Sequence, residues 1–121
     1  MIEVVYCMRR KEGITHAQFL AHWEGVHVPI VMRNLGALCL ARYERIVPLQ
    51  HAYSSRVERL HHMAAPFDGV ARLGWADDAL MRQAFESEAA LAVQRELAAD
   101  EANFVDSAAS SRWVAQSLVH V

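Results

Sequence analysis

The stretch Phe19-Leu20-Ala21-His22-Trp23-Glu24-Gly25-Val26-His27-Val28-Pro29 decides how this chain folds. Just upstream, Thr15 and Gln18 form the Ser/Thr-x-x-Glu/Gln capping box that satisfies orphan amides at a helix start, and Ile14 with Phe19 occupies the positions of a hydrophobic staple. These signals predict a helix from Thr15 to about Leu35. From Phe19 an apolar stripe runs through Trp23, His27 and Ile30 at spacings of four, four and three, which puts His27 on the inward face. Proline disfavours helical geometry in the residue before it, so the helix is expected to break between Gly25 and Pro29. His22 falls on the flank.

Working outward, Ile2–Arg9 reads as the first strand and Leu38–Leu49 as the second. Pro48 removes a ladder donor, so the second strand should lie on a sheet edge or end there. Gly69–Ala76 is the third strand. Asp77 caps a short helix to about Phe85, and Ser87 caps a longer one to Asp106. Ser111–Val121 closes as the fourth strand. The order βαββαβ predicts an α+β ferredoxin-like domain with a four-stranded antiparallel sheet. The connection from Gln50 to Asp68 is long for a hairpin, and Ser54–His62 is expected to form a short helix bordering a pocket or an interface.

The strand faces carry a second message. Strand one shows Ile2, Val4, Tyr6 and Met8 on one side and Glu3, Val5, Cys7 and Arg9 on the other. Strand four shows Trp113, Ala115 and Val119 against Val114 and Leu118. A sheet covered by helices on one side normally turns a polar face to water, and neither face here is wholly polar. The economical cover for the second face is the same sheet of another protomer, giving a two-fold homodimer.

A length of 121 residues fits one domain spanning the chain, 1–121. A formal net charge of −2 offers no broad basic surface for nucleic acid or anionic lipid. No apolar run approaches a membrane span, and Met1 leads into a strand without a signal peptide, so a cytoplasmic location is expected. Cys7 and Cys39 both fall in predicted strands and do not make a disulfide framework.

Three blocks of sequence resemble the signature of the EthD family. The first is Arg10-Lys11-x-Gly13-x-Thr15 followed by Phe19-x-x-His22-Trp23-x-x-x-His27-x-Pro29. The second is Pro66-Phe67-Asp68-Gly69-Val70-Ala71 with Trp75. The third is Asp100-Glu101 with Phe104-Val105-Asp106 and a terminal strand to His120. Together they cover nearly the whole chain. The resemblance implies a dimeric α+β barrel, the superfamily that also holds muconolactone isomerases and small polyketide cyclases, and a pocket between helix and sheet. It implies no particular reaction.

Seven histidines invite a metal reading, but five-residue spacing turns His22 and His27 about 140° apart on an α-helix, and the adjacent His61 and His62 lack a carboxylate or cysteine at ligand spacing. No metal is expected. No glycine-rich phosphate loop, Ser-His-Asp order or CxxC occurs, so no cofactor is expected. An imidazole exchanges protons near neutral pH, which makes His27 the catalytic candidate; a hydrogen bond to a backbone carbonyl at the bend is the structural alternative. Tyr6 and Tyr43 on strands are the candidates to polarise a substrate carbonyl. Phe19, Trp23, Ile30 and Trp75 are the expected substrate-binding walls. Asp68, before Gly69, suits a turn. Asp100 touches the apolar stripe of the last helix, where a partner arginine, a partner histidine and a solvated position all stay open.

The sequence thus reads as a homodimeric EthD-like protein that takes a small apolar or aromatic ligand. Its expected chemistry is cofactor-independent acid–base catalysis on an aromatic, lactone or polyketide-like substrate: an isomerase, cyclase or dehydratase, with a cofactorless monooxygenase as a variant. The alternative is a non-catalytic accessory module that carries an apolar metabolite, or haem through a histidine, for a partner enzyme.

Overall fold

In the computed structural model, which describes the backbone of all 121 residues and every side chain except that of His61, the main elements follow in the predicted order. They are β1 (Ile2–Met8), α1 (His16–His22), one π turn (Trp23–His27), α2 (Val28–Met32), β2 (Arg42–Ile46), α3 (Ser54–Glu58), β3 (Gly69–Trp75), α4 (Asp78–Glu86), α5 (Glu88–Glu101) and β4 (Ser111–Gln116). The strands form one antiparallel sheet of order β2-β3-β1-β4. This is the α+β ferredoxin-like fold. No helix among the described residues is long and apolar enough to cross a membrane.

The helix starts form where the caps specify. Thr15 Oγ1 accepts from Gln18 N at 3.1 Å while Gln18 Oε1 accepts from Thr15 N at 2.8 Å, closing the capping box. Asp77 accepts from Leu80 N, and Ser87 from Ala90 N. Along β1 the alternation sends Val4, Tyr6 and Met8 under the helices, where they are buried. Phe19, Trp23, Ala71, Phe104 and Val105 complete one core cluster around Tyr6 and Met8. Gly69 faces Trp23 so closely that any Cβ there would run into the indole ring, so glycine at this position is what lets Trp23 lie across the start of β3.

The opposite face of the sheet is open. Trp113 and Ile46 are each 47% exposed on it. Across its centre Arg72 binds Glu3 at 3.0 Å and Glu44 at 3.3 Å, Arg42 binds Glu44 at 2.6 Å, and Ser117 Oγ donates to Glu3 at 2.6 Å. Glu3 is only 2% exposed because these partners lie over it. The Ser117 hydrogen bond, with burial opposing it and Arg72 reinforcing it, holds the Glu3 carboxyl below the usual range.

Four expectations need correction. The helix does not break before Pro29: Val28 keeps helical angles, and its N–H reaches back five residues to Trp23 O. A π turn is one residue wider than an α turn, and the widening makes room for a proline ring that would otherwise press on the carbonyl four residues earlier. Strand two is shorter than Leu38–Leu49. Leu38 and Cys39 lie in a turn, Cys39 with φ +51°, and Leu38 O accepts from Trp75 Nε1 rather than from a strand. The last helix stops at Glu101 instead of Asp106. Finally, β4 ends at Gln116 because its partner Ile2 is the first residue of β1, so the ladder has no further rungs. The edge placement of β2 agrees with Pro48, and the short helix within 54–62 forms at Ser54–Glu58.

Thr15→Ala removes one half of the capping box and should cost about 1 kcal/mol. The denaturant midpoint is expected to fall with the slope of the transition unchanged.

Candidate active site

The π turn sets the site. Residues five apart diverge on an α-helix, but an i→i+5 turn returns them to one face, so His22 and His27 point the same way. Both reach Asp100 at the end of α5: His22 Nε2 lies 2.8 Å from Oδ1 and His27 Nδ1 lies 2.9 Å from Oδ2. Both rings pack on Phe104, with centroids 4.8 and 5.2 Å away. Asn103 adds a third contact to Oδ1 at 3.3 Å. Burial pushes the Asp100 carboxyl up, but the hydrogen bonds from His22, His27 and Asn103 more than offset it and hold the group below its ordinary value. Asp100 therefore stays ionised, accepts Nδ1–H of His27, and leaves Nε2 as the ring nitrogen for the cavity that His27 lines.

That cavity, about 440 Å³, lies between the helices and the buried face of the sheet and falls in the range of small-molecule sites. Its polar end holds His27, Glu101, Tyr6 and Arg112, and the far end holds Trp75, Leu38 and Phe85. Glu101 follows Asp100 on the same helix and behaves oppositely. Burial pushes its carboxyl above the ordinary value, while Arg112, His27 and the Tyr6 hydroxyl oppose that only in part. Burial also pushes the Tyr6 phenol up to about 12, helped by the Glu101 charge, so Tyr6 remains a hydrogen-bond donor at any physiological pH. Tyr43, raised by burial as well, accepts from Trp23 Nε1 at 3.1 Å and keeps its own O–H for another partner.

Of the residues singled out from sequence, His27, Tyr6, Tyr43, Trp23 and Trp75 line the cavity. Phe19 and Ile30 do not. Phe19 is fully buried behind Trp23 and Phe104, with ring centroids 5.8 and 5.4 Å away, and Ile30 packs with Val31, Leu38, Val93 and Leu97. His22, read as a flank residue, shares Asp100 with His27. Asp68 is more than a turn residue: its carboxylate takes Arg10 N at 2.8 Å and Arg10 Nη1 at 2.7 Å, and its carbonyl meets His16 Nε2 at 2.9 Å. Cys7 and Cys39 are free thiols. Sequence reasoning missed Glu101 and Arg112. A glutamate at a helix end and an arginine in a strand carry no signal in one sequence; only the cross-strand register that sets Arg112 opposite Tyr6 brings them together. Among the described residues no group of His, Cys, Asp and Glu side chains converges to hold a metal; the His61 side chain lies outside them.

A ferredoxin-like sheet roofed by helices, with histidine, glutamate and tyrosine lining one space between them, defines a small α+β protein built around a ligand-sized cavity. Residues 11–108 match the model of the EthD domain, and the chain belongs to that family. The fold is similar to that of an EthD family protein from Bacillus halodurans, with 13% identity, 98% of this chain and 99% of that one covered, and a TM-score of 0.64. A dimeric protein of ferredoxin-like fold from Bacteroides fragilis is similar at 5% identity, with 96% and 95% covered and a TM-score of 0.58. So is a cofactor-independent oxygenase from Streptomyces nogalater, at 14% identity, with 98% and 96% covered and a TM-score of 0.52. At these identities the likeness concerns the fold. Comparison with curated proteins gives no match.

The neighbouring carboxyls should give opposite stability profiles. Asp100 has a lowered folded pKa, so its contribution is present above the unfolded carboxylate value and is lost as pH falls through the folded one. Asp100→Asn should therefore cost about 1.5–3 kcal/mol near neutrality and flatten the acid limb. Glu101 has a raised folded pKa, so its contribution is present below the unfolded value and is lost as pH rises through the folded one. Glu101→Gln should be neutral or stabilising at pH 7. Chemical denaturation across pH checks both signs.

Proposed function

We propose that this EthD protein binds a small aromatic, lactone or polyketide-like molecule and carries out cofactor-independent acid–base chemistry on it. The observation that carries the reading is the convergence of two proton-exchanging groups, His27 and Glu101, on one largely apolar cavity. A carrier needs an apolar space and no such pair. His27, oriented through Nδ1 by Asp100, removes a proton at Nε2 from carbon next to a carbonyl. Tyr6 or Tyr43 donates a hydrogen bond to the developing enolate oxygen. Glu101, biased toward its protonated form, delivers a proton to the new position in an isomerisation, or to a departing hydroxyl in a dehydration. The step leaves imidazolium beside carboxylate, and transfer between them resets the site. That a cofactor-independent oxygenase stands on a similar fold supports the reading.

The working form proposed is a homodimer joined through the open sheet face. Exposed Trp113 and Ile46 on that face favour a cover. The four charges at its centre, Glu3, Glu44, Arg42 and Arg72, already pair within one protomer, so covering them strands no unpaired ion. The similarity to a protein described as dimeric points the same way. Sedimentation at micromolar concentration should give a dimer, and a stable monomer would end this part of the proposal.

His27→Gln retains one hydrogen bond but cannot exchange a proton near neutral pH. Once a substrate is found by screening, this change should lower turnover by roughly a hundredfold or more while circular dichroism and assembly stay as in the parent. Unchanged turnover would leave His27 a structural residue and favour a binding module.

A further inference from the structure

Arg112 has no part in the proton transfers above, yet it is the one guanidinium lining the cavity among the described residues. It stands opposite Tyr6 in the β1–β4 ladder, with its guanidinium carbon 4.8 Å from the centre of the phenol ring. Its nearest carboxylate oxygen, Glu101 Oε1, is 3.7 Å from Nη1, too far for a hydrogen bond. Its guanidinium donates no hydrogen bond to any described residue, and of the arginines it alone lines the cavity. A guanidinium carries a rigid fork of donors suited to carboxylate or enolate oxygens, and this fork is uncommitted at the mouth of an apolar space.

Away from this end the lining changes character. Trp75 pairs with Ile2, four residues before Tyr6 on β1, which sets the ends of the cavity about 13 Å apart at the strand rise of about 3.3 Å per residue. Trp75, Leu73, Leu38 and Phe85 wall that length. A small hydrophilic anion would leave these walls wet, and a neutral hydrocarbon would fill them while leaving the donors of the guanidinium unused. A ligand apolar along its length and charged at one end suits both parts of this lining.

We propose that the ligand is an aromatic molecule bearing an anionic oxygen group, a carboxylate or an enolate, received by Arg112 with the Tyr6 hydroxyl as second donor, its apolar body extending along β1 to Trp75. The proposal rests on the reading of this cavity as a ligand site and adds the charge and direction of what enters it. It also gives Glu101 a second role. Its carboxylate competes with the ligand for Arg112, and the groups that face it (Arg112 from β4, His27 from the π turn, Tyr6 from β1 and Asp100 on its own helix) make that competition depend on whether Glu101 is charged.

Isothermal titration of the full chain with 2-naphthoate and its neutral isostere 2-naphthamide tests this. Naphthoate should bind at least about tenfold more tightly, the value of one charge-assisted hydrogen bond. Arg112→Gln, a half-exposed position on an edge strand, should erase the preference, and Arg112→Lys should keep part of it. Glu101→Gln should tighten naphthoate at pH values where the Glu101 carboxyl is ionised and competes for Arg112, and change its affinity little where that carboxyl is protonated. Equal affinities in the parent protein, or a preference that survives Arg112→Gln, would overturn the anion subsite while leaving the cavity a ligand site. Failure of both probes to bind would overturn the anion subsite and the ligand site together.

Discussion

Asp100 is the residue on which the rest of the site depends. Its two carboxylate oxygens each hold an imidazole, His22 at 2.8 Å and His27 at 2.9 Å, and those rings sit at the two ends of the π turn. One side chain thereby ties the α1–α2 segment to the end of α5. The clamp works only because the turn is wide: on an α-helix one of the two rings would face away. Successive helical residues project about 100° apart, so turning Asp100 toward the histidines turns Glu101 toward β1 and β4, into the space beside Tyr6 and Arg112. A single constraint thus orients His27 and places Glu101.

The same end of the molecule explains why three distant stretches of sequence resemble one family together. Arg10 from the first stretch pairs with Asp68 from the second at 2.7 Å. Lys11 N donates to Phe104 O at 2.9 Å, joining the first stretch to the third, and Asp106 N donates to the carbonyl of Arg9, the residue just before the first stretch, also at 2.9 Å. Gly69, in the second, gives way to the indole of Trp23. The stretches are one tertiary junction at the exit of β1. Pattern across the blocks marks this junction as firmly as any one residue within it.

What could be read in advance follows from which signals are local. The capping box at Thr15, the caps at Asp77 and Ser87, the alternation of β1 and the inward face of His27 all depend on residues within a few positions of one another, and all appear where expected. Strand ends do not, because a strand extends only as far as its neighbour. Leu118 and Val119 have strand character but no rung beyond Gln116–Ile2, and Leu38 to Leu40 lie before the first β2 rung, Arg42–Gly74. The π turn escaped because the stripe was measured with an α-helical period. Its signal was present all the same: two histidines five apart, with a glycine between them and a proline just beyond. Glu101 and Arg112 needed tertiary register and had no local mark.

Asp100 and Glu101 show how a helix end can prepare two carboxyls for different tasks. They are adjacent in the chain and both are largely covered, so burial pushes each toward the neutral form. For Asp100 three hydrogen-bond donors reverse that push. For Glu101 the opposing cation stands 3.7 Å away, close enough to attract but too far to hydrogen-bond, and the push survives. The difference lies in donor count and distance, since the residue types are nearly the same. An ionised carboxylate behind a histidine and a carboxyl inclined to keep its proton in front of it are what the proposed proton transfer rests on. The chain obtains both with two consecutive residues, because a wide turn on the facing helix brings two imidazoles into hydrogen-bonding contact with the first and none into such contact with the second.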